Sequence, residues 1–306
     1  MALPEGMRAR LRLPAIAAPM FLVSGPDLAL AACRAGIIGS LPANNARSID
    51  ILESWFARLN SELPADAPPW AVNIMVHKTY LRMQEEVDLA IKYRAPIVIT
   101  ALGSPKAIVD QIHSYGGLVF ADVNSVAFAE KAAATGVDGL VLVSAGAGGH
   151  TGQISGFAFA PAVRSFFNGT IILAGGIGTG QAVRAAELLG ADLAYIGTRF
   201  IASEESMAVP RYKEMLISAT AEDIILSAAL TGVPANWLRG SLIEAGYDPK
   251  NMPEKAPMNI GKVEEAAKRW RDVWSAGQGV GAIQSIEPVA AIIEQLVSEY
   301  RAAVSR

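Results

Sequence analysis

A single cysteine, Cys33, in a chain of 306 residues leaves no internal disulfide to form, and fits a reducing compartment such as the cytoplasm. No stretch approaches the ~18 uninterrupted apolar residues that a membrane-spanning helix needs. The opening MALPEGMRARLRLPAIAAPM is broken by Arg8, Arg10, Arg12 and Pro14, so no secretory apolar region is expected there. Charge is scarce: 18% of residues are charged and the net charge is -3, which gives no basic field for nucleic acid or an anionic membrane. With only His77, His113 and His150, none near another in helical register, a zinc site is not expected. No GxSxG elbow occurs, and no second carboxylate accompanies Asp122 at the strand ends, which argues against paired-carboxylate glycoside chemistry.

What is present is apolar residues, at 52%, and a recurring unit. The stretch TIILAGGIGTGQAVRAAELLGADLAYIGTRF (170–200) reads as strand, glycine turn, helix, strand, glycine turn. Ala182, Val183, Ala186 and Leu189 recur at helical spacing, and Gly190 ends that helix as a left-handed cap. Each of its two strands ends in glycines, Gly175 and Gly176, then Gly197 followed by Thr198, whose main-chain N–H groups suit a phosphate dianion.

Six further short apolar strands precede it: 15–20, 37–41, 71–76, 97–100, 118–123 and 140–143, with helices between them. Asn124 is expected to cap the helix after the fifth. Eight alternating units favour a (β/α)8 TIM barrel over an open doubly wound sheet, which makes 170–200 the seventh and eighth strands, where such barrels grip phosphate. After Phe200 the pattern reads as helices with no strand signal. This predicts a small helical second domain at 207–277, with the barrel formed by 1–206 and 278–306. The segment PANWLRGSLIEAGYDPKNMPEKAPMN is rich in Pro, Gly and Asn, so it is expected to be irregular and exposed. Trp237 reads either as a core anchor or as a cover over the substrate.

Chemistry in such a barrel belongs at the C-terminal strand ends. These offer Pro19, Met20, Asn44, Asn73, Thr100, Asp122, the loop Gly148 to Gly152, Gly175, Gly176, Gly197 and Thr198. The set is amides, backbone donors and one imidazole, which suits a bound cofactor that performs the hard chemistry. His150, flanked by glycines that allow close approach to a ligand, is the candidate catalytic residue; a loop histidine pinning its own turn is the plainer alternative. Arg199 reads more naturally as a structural tie than as a catalytic group.

Ala-Pro-Met after the first strand, VNIM at the third, AGGHTG after the sixth, AGGI after the seventh and GTRF after the eighth together resemble the nitronate monooxygenase (2-nitropropane dioxygenase) family. The chain is similar in the same places to flavin-dependent enoyl-acyl carrier protein reductases. The resemblance implies noncovalent FMN, with Gly175, Gly176, Gly197 and Thr198 at its phosphate. Pro19, Met20 and Asn73 would lie along the isoalloxazine, and Gly149 and His150 on the substrate side. Nitronate-oxidising members often carry Lys at the end of the fifth strand, where this chain has Asp122; the resemblance implies a cofactor contact there, and a salt bridge with a neighbouring loop is the plainer alternative. The implied reaction is oxidation of an alkyl nitronate with O2 to a carbonyl compound and nitrite. The alternative is an NAD(P)H-dependent reduction of an enoyl thioester or quinone. A homodimer fits either. A phosphate-binding isomerase or aldolase barrel would be colourless, and no strand-end Lys for a Schiff base is present.

Overall fold

The computed structural model describes residues 3–254 and 270–305. Its strands are β1 (Ala15–Ala17), β2 (Gly39–Pro42), β3 (Trp70–Met75), β4 (Ile97–Ala101), β5 (Leu118–Val123), β6 (Gly139–Val143), β7 (Gly149–His150), β8 (Thr170–Ala174), β9 (Leu193–Ile196), β10 (Ile224–Ser227) and β11 (Ala235–Leu238). Eight of them form one parallel sheet in the order β1-β9-β8-β6-β5-β4-β3-β2. Beside β2, Ile38 bridges Ile16 of β1, with Ala17 N–H donating to Ile38 O (2.8 Å) and Ile38 N–H to Ala15 O (3.1 Å). The sheet closes there into the expected TIM barrel, whose seventh and eighth strands are β8 and β9.

Strand alternation explains why these segments read as continuous apolar runs: both faces are buried. On β8, Ile171 and Leu173 pack outward among residues of the surrounding helices, whereas Ile172 and Ala174 join the barrel interior with Phe120, Val141 and Tyr195. Helix starts are set by short polar side chains. Ser48 accepts from Ile51 N–H and Thr179 from Ala182 N–H. The cap expected at Asn124 falls instead on Ser125, whose extended backbone lets its hydroxyl reach Phe128 N–H. Gly190 adopts φ +98° after the helix Gly180–Leu188, as its capping role requires. The last helix, Val289–Val304, lays Ile292, Ile293, Leu296 and Val297 against Leu28, Ala32 and Val183.

Beyond the barrel the structure corrects the expectation of helices alone. The helices Pro210–Ile217 and Arg239–Glu244 are present, but β10 and β11 form an antiparallel hairpin, with Ile225 opposite Trp237. The barrel loop strand β7 adds to it, His150 opposite Ala235 and Gly149 opposite Asn236. The PANWLRGSL segment is therefore not exposed at its core: all four residues of β11 are buried. Pro234 and Asn236, both turn-type residues, masked a four-residue strand. The helical reading of 255–269 lies outside the described residues. No helix among the described residues is long and apolar enough to cross a membrane.

Candidate active site

The strand ends open into a cavity of about 900 Å³. All ten site residues expected from the sequence line it: Pro19, Met20, Asn73, Asp122, Gly149, His150, Gly175, Gly176, Gly197 and Thr198. Asn44 joins them. Other candidates lie elsewhere. Thr100 is buried and donates to Phe120 O (3.2 Å), His77 pairs with Thr79 at the surface (2.8 Å), and His113 pairs with Asp138 (2.8 Å). Arg199, 2% exposed, donates to Gln295 (2.8 Å) and meets Glu287 (3.3 Å), so it ties the last helix to the barrel.

One side of the cavity is made of main chain packed on main chain. Gly146 O accepts from Gly176 N–H (3.1 Å) and from Gln278 N–H (2.9 Å), while Thr198 Oγ1 accepts from Gly277 N–H (2.8 Å). A Cβ on Gly277 would stand 2.7 Å from Gly146 O, and one on Gly148 2.8 Å from Gly277 N, so these three loops approach only because they lack side chains. Gly176 differs: at φ +70° its N–H already serves Gly146, and a Cβ there would meet nothing within 4 Å. It borders open cavity. Bare loops beside an open face form a concavity with room for a ligand at the strand ends.

The opposite features are polar atoms without partners. His150 Nε2, Asp122 Oδ1 and the Tyr195 hydroxyl are all sealed from solvent, all without a hydrogen bond, and all on residues of the cavity wall. Native structures rarely leave such atoms unmatched, and these three leave hydrogen-bonding capacity unused at the cavity wall. Burial lowers the His150 pKa below its ordinary 6.5, which favours the neutral imidazole. Burial pushes the Asp122 carboxyl up to about 7. Asn73 faces the cavity while its Nδ2 donates to Ile99 O (3.3 Å).

The His150 loop is held from the inserted hairpin. Besides the β7–β11 pairing, Asn236, 3% exposed, donates to Ala145 O (3.1 Å) and Ala147 O (2.7 Å), and Thr151 N–H donates to Pro234 O (3.1 Å). The imidazole meets the Trp270 ring edge-on at 5.4 Å, and Trp270 stacks on Trp237 at 4.5 Å. Trp237 is fully buried, which makes it the core anchor of its two readings. Asn236, Tyr195 and Trp270 were not picked out from the sequence; an amide inside an otherwise apolar run was the available sign for Asn236. Asn236→Ala leaves two carbonyls without their donor and is expected to cost about 1–3 kcal/mol, with lower turnover. Thermal denaturation and activity check it; unchanged values for both would free the loop from this clamp.

A family model described as nitronate monooxygenase matches residues 68–299, more than half of the chain. A nitronate monooxygenase of Paraburkholderia phytofirmans is 27% identical over 344 residues, covering 96% of this chain and 93% of that one. The Mycobacterium tuberculosis protein Rv1533, named as a candidate monooxygenase, is 30% identical over 233 residues; the match covers 71% of this chain and spans 62% of that protein's length. Among solved structures, FabK from Thermotoga maritima superposes with a TM-score of 0.81 at 27% identity, covering 96% of this chain and 94% of that one.

Proposed function

Because the chain belongs to the nitronate monooxygenase family, we propose that it is an FMN-dependent oxidoreductase that oxidises an alkyl nitronate with O2 to a carbonyl compound and nitrite. The observation that carries this reading is the unpartnered, sealed His150 Nε2 on the wall of a cavity whose other side is bare glycine loop. The orphaned atoms and the open face at Gly176 fit a mononucleotide. Gly175, Gly176, Gly197 and Thr198 would hold its phosphate, Pro19, Met20 and Asn73 its ring, with Gly149 and His150 toward the substrate. When bound, FMN would supply the electron transfer between substrate and O2.

The chain's own residues do the rest. Given a neutral nitroalkane, the His150 imidazole takes the proton from the carbon bearing the nitro group, and the C–H electron pair moves into the new C=N bond. The resulting imidazolium then faces the negatively charged oxygens. Given a preformed nitronate, no proton needs to leave carbon, and the imidazole serves only to orient. Trp270 and the hairpin exclude water around that ring.

The cavity volume favours keeping a second reading. About 900 Å³ is near the upper end of small-ligand sites, ~300–1,000 Å³, and leaves room beside a mononucleotide for a larger substrate. NAD(P)H reducing an enoyl thioester or quinone would enter this same cleft. A visible spectrum of the purified protein tests FMN, and anaerobic mixing separates the reactions. Bleaching by a nitronate and not by NADH supports the oxygenase. Rapid bleaching by NADH alone supports the reductase, and a colourless protein that takes up no FMN ends both.

A further inference from the structure

Period-two alternation along β5 turns Leu118, Phe120 and Asp122 to the inside of the barrel. Leu118 and Phe120 lie there among Ile172 and Tyr195. Asp122 is thus the member of that inner row nearest the mouth, and Tyr195 of β9 shares the interior with it. A carboxyl at this depth ordinarily has a cation or several N–H donors beside it. Among the described residues this one has neither. Its Oδ1 is sealed and unpaired, and so is the Tyr195 hydroxyl, although both residues line the cavity.

The titratable groups of the cavity wall, among the described residues, are Asp122, Lys131, His150, Tyr195 and Tyr212. Lys131 is exposed on the helix Val126–Ala133, its ammonium 5.7 Å from the centre of the Phe128 ring. Tyr212 is engaged with Ser275 O, and His150 is kept toward neutrality by burial. Burial alone is what lifts Asp122 to about 7, and burial with the Asp122 charge pushes Tyr195 well above its usual range.

We infer that the Asp122 carboxyl and the Tyr195 hydroxyl form one hydrogen-bond donor pair that recognises oxygen and nitrogen acceptors of the bound heteroaromatic ring, so that the ring binds best while Asp122 carries its proton. The inference rests on the FMN reading above. Two buried O–H groups without protein acceptors are matched by a ring bearing carbonyl oxygens and bare ring nitrogens. Once Asp122 ionises, its lone pairs confront those same acceptors, and the interaction turns from attractive to repulsive. The linkage sign follows: if the protonated form binds more tightly, binding raises the Asp122 pKa, and affinity falls as pH rises through about 7.

The test is flavin release on dilution of the flavin-loaded full-length protein, followed by flavin fluorescence, at about pH 6 and about pH 8.5. Riboflavin is run beside FMN to remove the titration of the phosphate, and Asp122→Asn beside wild type, because the carboxamide donates at every pH. The wild-type Kd is expected to rise on the order of tenfold relative to the Asn variant across this interval. Tyr195→Phe should weaken binding at both pH values and keep the wild-type pH dependence. Parallel profiles for wild type and Asp122→Asn overturn the inference. An infrared difference spectrum of the wild type gives a second readout: a protonated carboxyl band that shifts on flavin release supports the pair, and its absence at about pH 6 removes it. A colourless protein that takes up no added FMN removes the FMN reading and this inference with it. Flavin uptake with parallel profiles removes the inference alone.

Discussion

Replacing His150 with Asn is expected to lower kcat for a neutral nitroalkane by about 10²–10⁴-fold, while FMN content and the thermal midpoint stay near wild type. The side chain makes no hydrogen bond through Nε2, so removing it takes nothing from the fold at that atom. Its carboxamide replacement keeps polar atoms in the cavity but cannot accept a proton from carbon. With a preformed nitronate as substrate the loss should shrink to about tenfold, the scale of one hydrogen bond. The two substrates should also differ in pH dependence. Because burial depresses the His150 pKa below 6.5, kcat/KM for the nitroalkane should hold to lower pH than a solvated imidazole allows, and fall only as the pH drops through that depressed value. The nitronate should lack that acid limb. Steady-state rates with both substrates decide the matter; an equal loss for the two, or full activity of the variant, removes His150 as the base.

Trp237→Ala is expected to have the largest effect on stability, about 3–5 kcal/mol. The indole is fully buried in a cluster with Leu230, Ala235, Leu242 and Val273, and its Nε1 donates to Ser227 O (3.2 Å) across the β10–β11 hairpin. Truncation opens a cavity, removes the indole bond to Ser227 O and takes away the ring on which Trp270 stacks. At about 2–4 °C per kcal/mol, the thermal midpoint should fall by about 10 °C. Turnover should fall as well, because Trp270 is the edge-on neighbour of His150. Trp237→Phe should recover part of both. Calorimetry measures the first effect, and a loss below about 1 kcal/mol would mean that the hairpin is anchored elsewhere.

The barrel was legible in the sequence because its information is local. Each strand is a short run buried on both faces, each helix carries its own apolar stripe, and glycines mark the strand ends that became the cavity wall. The inserted hairpin was not legible because its information is long-range. Ala235 and Asn236 sit in the middle strand of a three-stranded sheet, between Ser227 and Leu226 on one side and His150 and Gly149, far away in the chain, on the other. For the same reason the sequence singled out His150 but not the amide that holds its loop. Tyr195 read as one more apolar residue of the eighth strand, since its unpaired hydroxyl emerges only after the barrel has closed around it. The shift of the helix cap from Asn124 to Ser125 is a smaller case: both residue types cap well, and backbone direction chose between them.

The barrel's closure between β1 and β2 has a consequence for the cavity above it. Main-chain bonding at this join rests, among the described residues, on the two bonds of the Ile16–Ile38 bridge and on Arg12 N–H to Gly36 O (2.8 Å) below it, yet the loops that follow the two strands carry Met20 and Asn44 of the cavity wall. A single carboxamide straps those loops together: Asn45 donates to Met20 O (2.9 Å) and Ser24 O (2.8 Å) and accepts from Leu22 N–H (2.8 Å), holding Leu22 at φ +61°. The Leu22 amide therefore works as a built-in reporter for this seam: its rate of exchange with deuterium measures how often the narrowest join in the barrel parts beneath the cavity.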